Sequence, residues 1–189
     1  MKHNSLLLLP LLLASCASTP SLWDNGQALS AETLEVQVDT QGRFTEVEYH
    51  ISPAAVPKAV HNAMNKLHPG GGATGAEREY VDGKLCWELT KTIDGREIEA
   101  MFWPDGTLHS EEIQIAATDV PTVVVETLDA SQAGDVTSWE SIAGNQQVIT
   151  EYHAKVHHEG RKYKVAIAAD GRLLSIVREV VAEIEVPVK

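Results

Sequence analysis

The feature that most constrains this chain is that it repeats itself. Val56-Pro57 and Val60 recur as Val120-Pro121 and Val124, 64 residues on. Gly95-Arg96 recurs as Gly160-Arg161, and Asp105-Gly106, Leu108 and Ser110 recur as Asp170-Gly171, Leu173 and Ser175, now 65 residues on. One inserted residue between the first motif and the later ones accounts for the change of offset. Residue types agree where identities do not: Met64 with Leu128, Trp87 with Tyr152, Phe102 with Ile167 and Ile115 with Val180. A partial copy comes first, in which Glu35, Gly42, Glu48 and Ile51 match Glu99, Gly106, Glu112 and Ile115 at an offset of 64. The chain reads as a half unit over 34–51, a full unit over 52–116 and a second over 117–181.

Within each full unit the periodicity changes from that of a helix to that of strands. Val56, Val60, Ala63, Met64 and Leu67 fall on one helical face, opened by Ser52-Pro53 and ended by Pro69-Gly70-Gly71-Gly72. Val120, Val124 and Leu128 form the same stripe after Thr118-Asp119. Strands are expected at about 75–81, 84–92, 96–103 and 107–115, with Asp82-Gly83, Asp94-Gly95 and Asp105-Gly106 as tight turns. Leu85, Trp87 and Leu89 alternate with Cys86, Glu88 and Thr90, so one sheet face is buried and the other wet. In the closing strands Phe44, Leu108 and Leu173 sit on one parity and Ile51, Ile115 and Val180 on the other, a slip that a β-bulge accommodates. The expected fold is α+β: tandem repeats of one helix on an antiparallel meander, preceded by a β-hairpin. The expected units are 34–116, with the hairpin, and 117–189.

The N-terminus points to a compartment. Met1-Lys2-His3 is a short basic start, and the apolar run Leu6 to Ala14, broken by Pro10, is too short to span a hydrocarbon core. It ends in Leu13-Ala14-Ser15-Cys16, which resembles a bacterial lipobox. On that reading 1–15 is a signal peptide, Cys16 is lipidated and 17–33 is a tether. The chain is then held to a membrane by acyl chains. Ala17 is not the Asp of an inner-membrane retention signal, so the outer membrane, periplasmic side, is the expected location. Cys86 then has no partner within the chain and reads as a buried small hydrophobe or a semi-exposed free thiol.

Candidate chemistry is sparse. A formal charge of −12 over 189 residues argues against nucleic acid, whose phosphates select basic surfaces. His153 and His157 share a strand face but lie about 13 Å apart, too far to chelate one ion. His50 or His109 would have to arrive from another strand. His61 and His68 are two turns apart on the first helix. The carboxylates Glu46, Glu48, Glu111, Glu112, Glu183 and Glu185 read as a solvated face, since acid–base work needs a cleft that separates their pKa values. Nucleophile elbows, phosphate loops and metalloprotease motifs do not occur in the sequence. No catalytic residue, metal or cofactor is expected. Among the aromatics, Trp87 lies on the core parity, whereas Trp103 is opposite to Phe102 and is the candidate protein-binding residue.

The helix opened by Val56-Pro57, the Gly-bounded meander, and Asp105-Gly106-Thr107-Leu108 running into an acidic–apolar strand to Ile115 resemble the PepSY-like, β-lactamase-inhibitor-like domains. The stretch Gly42 to Ile51 fits the same strand pattern. The resemblance spans 34–181 and is made of structural residues. It implies secreted or lipid-anchored bacterial proteins, similar in fold to β-lactamase inhibitory protein, whose sheet surface takes an enzyme. The disulfides of that inhibitor have no counterpart here. The expected function is non-enzymatic binding of an envelope protein, as an inhibitor or regulator of an envelope hydrolase. The alternative is a small-ligand or metal-binding envelope module.

Overall fold

The computed structural model describes residues 24–81 and 83–188; Cys16 and the signal segment lie outside them. Among the described residues ten strands form one antiparallel sheet, each pairing with its neighbours in sequence. They are β1 (Thr33–Val38), β2 (Phe44–His50), β3 (Gly75–Val81), β4 (Lys84–Ile93), β5 (Arg96–Phe102), β6 (Leu108–Ile115), β7 (Asp135–Gly144), β8 (Ile149–His158), β9 (Arg161–Ala168) and β10 (Leu173–Arg178). Helix α1 (Asn25–Ser30) precedes β1, α2 (Lys58–Leu67) follows β2, and α3 (Thr122–Ser131) follows β6. The fold is sheet-dominated α+β. Where the sequence suggests two meanders, β6 and β7 pair from Ser110↔Gly144 to Ile115↔Trp139 and make the sheet continuous.

Both longer helices cover the same face. Val60 and Met64 of α2 pack on Trp87, Leu89, Ile98, Ala100 and Phe102. Val124 and Leu128 of α3 pack on Trp139, Tyr152, Ala154, Val156, Val165 and Ile167. Each such fully buried side chain contributes roughly 1.5–3 kcal/mol. The helices begin later than Ser52-Pro53 and Thr118-Asp119 suggest. Ser52 caps a 3₁₀ turn over Pro53–Ala55, and a second turn spans Ala117–Asp119. Val56 and Val120, each before a proline, are held extended at ψ 140° and 131°. The α conformation is disfavoured there, so the helices restart after the prolines.

Register shifts occur at Gln37/Val38, Met101/Phe102 and Leu173/Ser175, where Phe44, Leu108 and Leu173 slip in phase. The Asp-Gly turns that follow β5 and β9 press against the helices. A Cβ on Gly106 would lie 2.9 Å from the Ala59 carbonyl oxygen, and one on Gly171 would clash with Val123 Cγ2. Lys91, 1% exposed, closes the end of α2. Its ammonium donates to Asn65 Oδ1 and the His68 carbonyl at 2.8 Å and to the Gly70 carbonyl at 3.0 Å. The region expected to be a tether contains α1, capped by Asp24, whose own N–H donates to Tyr49 Oη at 2.8 Å. At the other edge every residue of β10 is exposed, and 179–188 has no regular structure.

Candidate functional site

Alternation along the strands places the residues between the core positions on the opposite face, which neither α2 nor α3 covers. The register there opposes glutamate to glutamate: Glu35↔Glu48 across β1 and β2, Glu77↔Glu88 across β3 and β4, and Glu99↔Glu112 across β5 and β6. Like charges directly opposite destabilise a sheet. Ionising both members of three such pairs on one face therefore costs stability.

The electrostatics reflect this crowding. Burial, followed by the charges of Glu99, Glu77, Glu48 and Glu79, pushes the Glu88 carboxyl well above the usual carboxylate range. Burial and Glu77 likewise raise Glu48. Glu79, 4% exposed, is raised to about 7 by burial and by Glu46 and Glu77. Glu99 reaches about 7 through burial and Glu112. Countercharges lie among these carboxylates, with Lys164 acting on Glu112, Glu140 and Glu48 and Lys155 on Glu140 and Glu99. His50 sits 3.0 Å from Glu77 and 3.6 Å from Glu35, and the attraction between His50 and Glu35 raises the pKa of the imidazole and lowers that of Glu35. Lys155 and Lys164 oppose each other across β8 and β9.

A second cluster crosses β6, β7 and β8. Glu140 and His153 are direct cross-strand partners, and Glu112 reaches them from β6. Glu140 is 4% exposed, and Lys155 Nζ donates to its Oε1 at 2.6 Å. His153 Nδ1 lies 3.6 Å from Glu112 Oε2, and Nε2 lies 3.5 Å from Glu151 Oε1. Glu140 Oε2 and His153 Nδ1 are buried without a hydrogen-bond partner. Burial and the Glu112 carboxylate raise Glu140; burial pulls Glu112 the same way, but His153, Glu140 and Lys164 together hold it low.

These findings locate the residues that the sequence singled out and revise the reading of some. Glu111 is buried on the helix-covered face, 2.9 Å from His68 Nε2, rather than solvated, because its strand parity matches Ile113. His61 is bonded to the Pro53 carbonyl oxygen at 2.9 Å. His50, His109 and His153 do not converge; each has separate company. Glu183 and Glu185 lie in the terminal segment outside the sheet. Cys86 is a buried free thiol, raised to about 11 by burial and by Glu79 opposite it. Trp103 is half-buried, just beyond the end of β5, edge-on to His109 at 5.2 Å with Lys84 Nζ 5.6 Å from its ring. It stands at one end of the sheet rather than at its centre. Glu77, Glu79, Glu88, Glu99, Glu140 and Glu151 were not singled out as site residues by the sequence. Their signal is the outward parity of Glu46-x-Glu48, Glu77-x-Glu79 and Glu97-x-Glu99, but only the register shows which carboxylates meet.

No family model matches the chain, and no curated relative is found. Solved structures align with part of this chain. One from Bacteroides eggerthii, of a protein provisionally assigned to the periplasm, aligns with TM-score 0.51 and 18% identity over 65% of this chain and 88% of that one. A DUF2874 family protein from Bacteroides uniformis aligns with TM-score 0.49 and 16% identity over 65% and 89% of the two chains. A protein from Bacteroides fragilis described as BLIP-like aligns with TM-score 0.49 and 21% identity over 68% and 89%. Among the described residues no helix is long and apolar enough to cross a membrane.

Proposed function

We propose that this chain is a non-enzymatic binding protein of the bacterial cell envelope. In this reading lipid on Cys16 anchors it to the outer membrane, on the periplasmic side, and its uncovered sheet face takes another protein. The three opposed pairs Glu35–Glu48, Glu77–Glu88 and Glu99–Glu112 carry the reading. An arrangement that costs the free protein stability is relieved by a partner that brings Lys or Arg to it. The charge of −12 favours encounter with such a surface. The lipobox-like Leu13-Ala14-Ser15-Cys16 supports the anchor, and the resemblance to inhibitor-like domains supports restraint of an envelope hydrolase as the form of binding. Trp103 with Lys84 at the sheet end would form the rim of the contact.

The test is a tagged 17–189 chain incubated with solubilised envelope, its stoichiometric partner identified by mass spectrometry and its affinity then measured against salt. The reading requires that added salt weaken the complex and that Glu88→Lys weaken it more than Trp103→Ala does. A complex indifferent to both salt and Glu88→Lys would place the contact elsewhere. Absence of any partner across detergents would end the protein-binding reading for stable complexes.

A further inference from the structure

We propose that Glu112, Glu140 and His153 form a binding site for a divalent transition-metal ion, with Zn2+ as its probe, on the uncovered face across β6, β7 and β8. The inference does not depend on the protein-binding reading. One ligand atom from each residue lies within 4.8 Å of the other two. The donor set is an imidazole nitrogen and two carboxylate oxygens, which suits zinc and its neighbours, whereas calcium and magnesium favour six or more oxygens.

The spacing of His153 and Glu112 is that of ligands rather than of hydrogen-bond partners. His153 Nδ1 and Glu112 Oε2 are 3.6 Å apart, too far for a hydrogen bond. Two ligands of a tetrahedral zinc, each bonded at about 2.05 Å, stand about 3.3 Å apart. Small side-chain adjustments close that difference. The unpartnered atoms are the ones such an ion would use. Glu140 is 96% buried by its 4% exposure, and its Oε2 has no donor although Oε1 is held by Lys155 at 2.6 Å. Nδ1 of His153 is likewise without a partner. A neutral imidazole has one N–H to offer, yet His153 faces carboxylates on both sides, Glu112 at Nδ1 and Glu151 at Nε2. Whichever nitrogen of the neutral ring carries the proton, the other presents a lone pair to an acceptor, a conflict that a second proton or a metal ion resolves. A cation at Nδ1 removes that conflict and leaves Nε2–H for Glu151.

The surrounding shell has the form that metal sites use. A carboxylate beyond the histidine fixes its ring, and a donor to the far oxygen of a ligating carboxylate fixes that group. Glu151 and Lys155 occupy these two places. The other carboxylate clusters lack this arrangement. Glu46, Glu48 and Glu79 offer oxygens alone, and in the Glu35, Glu48 and His50 group Glu35 is 70% exposed. Three protein ligands leave the fourth position of a tetrahedral ion open to water or to a partner's side chain.

The experiment is calorimetric titration of the chelator-treated protein with zinc chloride, with magnesium and calcium chloride in parallel, the fold of every variant being checked by circular dichroism. The expected result is saturable binding of one Zn2+ per chain and no comparable binding of the other two ions. Second-shell changes typically cost 10–100-fold in metal affinity, so loss of a ligand in His153→Ala or Glu112→Gln should weaken binding by roughly 100-fold or more. His157→Ala, at an exposed position outside the cluster, should leave binding unchanged. Cobalt chloride added to the unaltered protein gives a readout that needs no variant. The intense visible bands of a four-coordinate nitrogen–oxygen site are expected, and zinc should abolish them. Absence of saturable zinc binding would overturn the proposal, as would binding that survives His153→Ala or a cobalt spectrum no different from that of the aqueous ion.

Discussion

At the scale of single residues, the carboxylates of the uncovered face make stability depend on pH. Glu79 and Glu99 titrate near 7 in the folded chain, against an ordinary glutamate value of 4.5. Between those values the folded state holds protons that the unfolded state has lost, so stability falls as pH rises through the interval. It is fully retained below about 4.5 and lost by about 8. Denaturant midpoints measured at pH 5 and pH 8 should show the protein weaker at pH 8. Glu79→Gln should narrow that gap by about 1–3 kcal/mol, since the amide keeps the shape and removes the charge. An unchanged gap would mean that Glu79 is ionised without penalty in the folded chain. Little of this was legible beforehand: a glutamate between two apolar strand residues looks solvated whether or not another glutamate lies opposite. Glu111, close by in sequence, goes to the other face because its strand parity puts it there.

At the scale of elements, the sequence is most informative where chemistry is local. The strands from β3 to β6 fall within a residue or so of their expected bounds, because Asp-Gly pairs and alternation act over short distances. The bulges were legible from Phe44, Leu108 and Leu173 for the same reason. The helix starts were not, because Pro57 and Pro121 restrict the residues before them more strongly than Ser52 or Thr118 invites a cap. Lys91 was also hidden, since a lysine that caps a helix from a neighbouring strand depends on packing. Lys91→Met should cost about 2–4 kcal/mol in chemical denaturation, because it leaves three acceptors unmatched at the end of α2. The turn glycines separate two effects. Gly95 has open space where a Cβ would go, so Gly95→Ala should cost only the positive-φ penalty of about 1–2 kcal/mol. Gly106→Ala adds a clash with the Ala59 carbonyl oxygen and should cost clearly more in the same assay. Equal costs would show that the turn can withdraw from α2.

At the scale of the whole molecule, two cores share one sheet. Met64→Ala in the first core and Leu128→Ala in the second should each remove about 2–5 kcal/mol. Because β6 and β7 are paired along most of their length, both substitutions should lower one common thermal transition. Two transitions, each answering to one substitution, would show that the halves melt separately despite the shared ladder. The internal repeat made both helix stripes visible, but not the join between them, since nothing local in β6 or β7 specifies their mutual pairing. The nearest-neighbour order of all ten strands has a further consequence, for the way the chain is made. Each strand after β1 pairs with the one made just before it, and none waits for a distant segment. Contacts that are short in sequence close quickly. A nascent chain of this topology can zip up from its N-terminal end as it emerges, and at every stage its growing edge is where the next strand will dock.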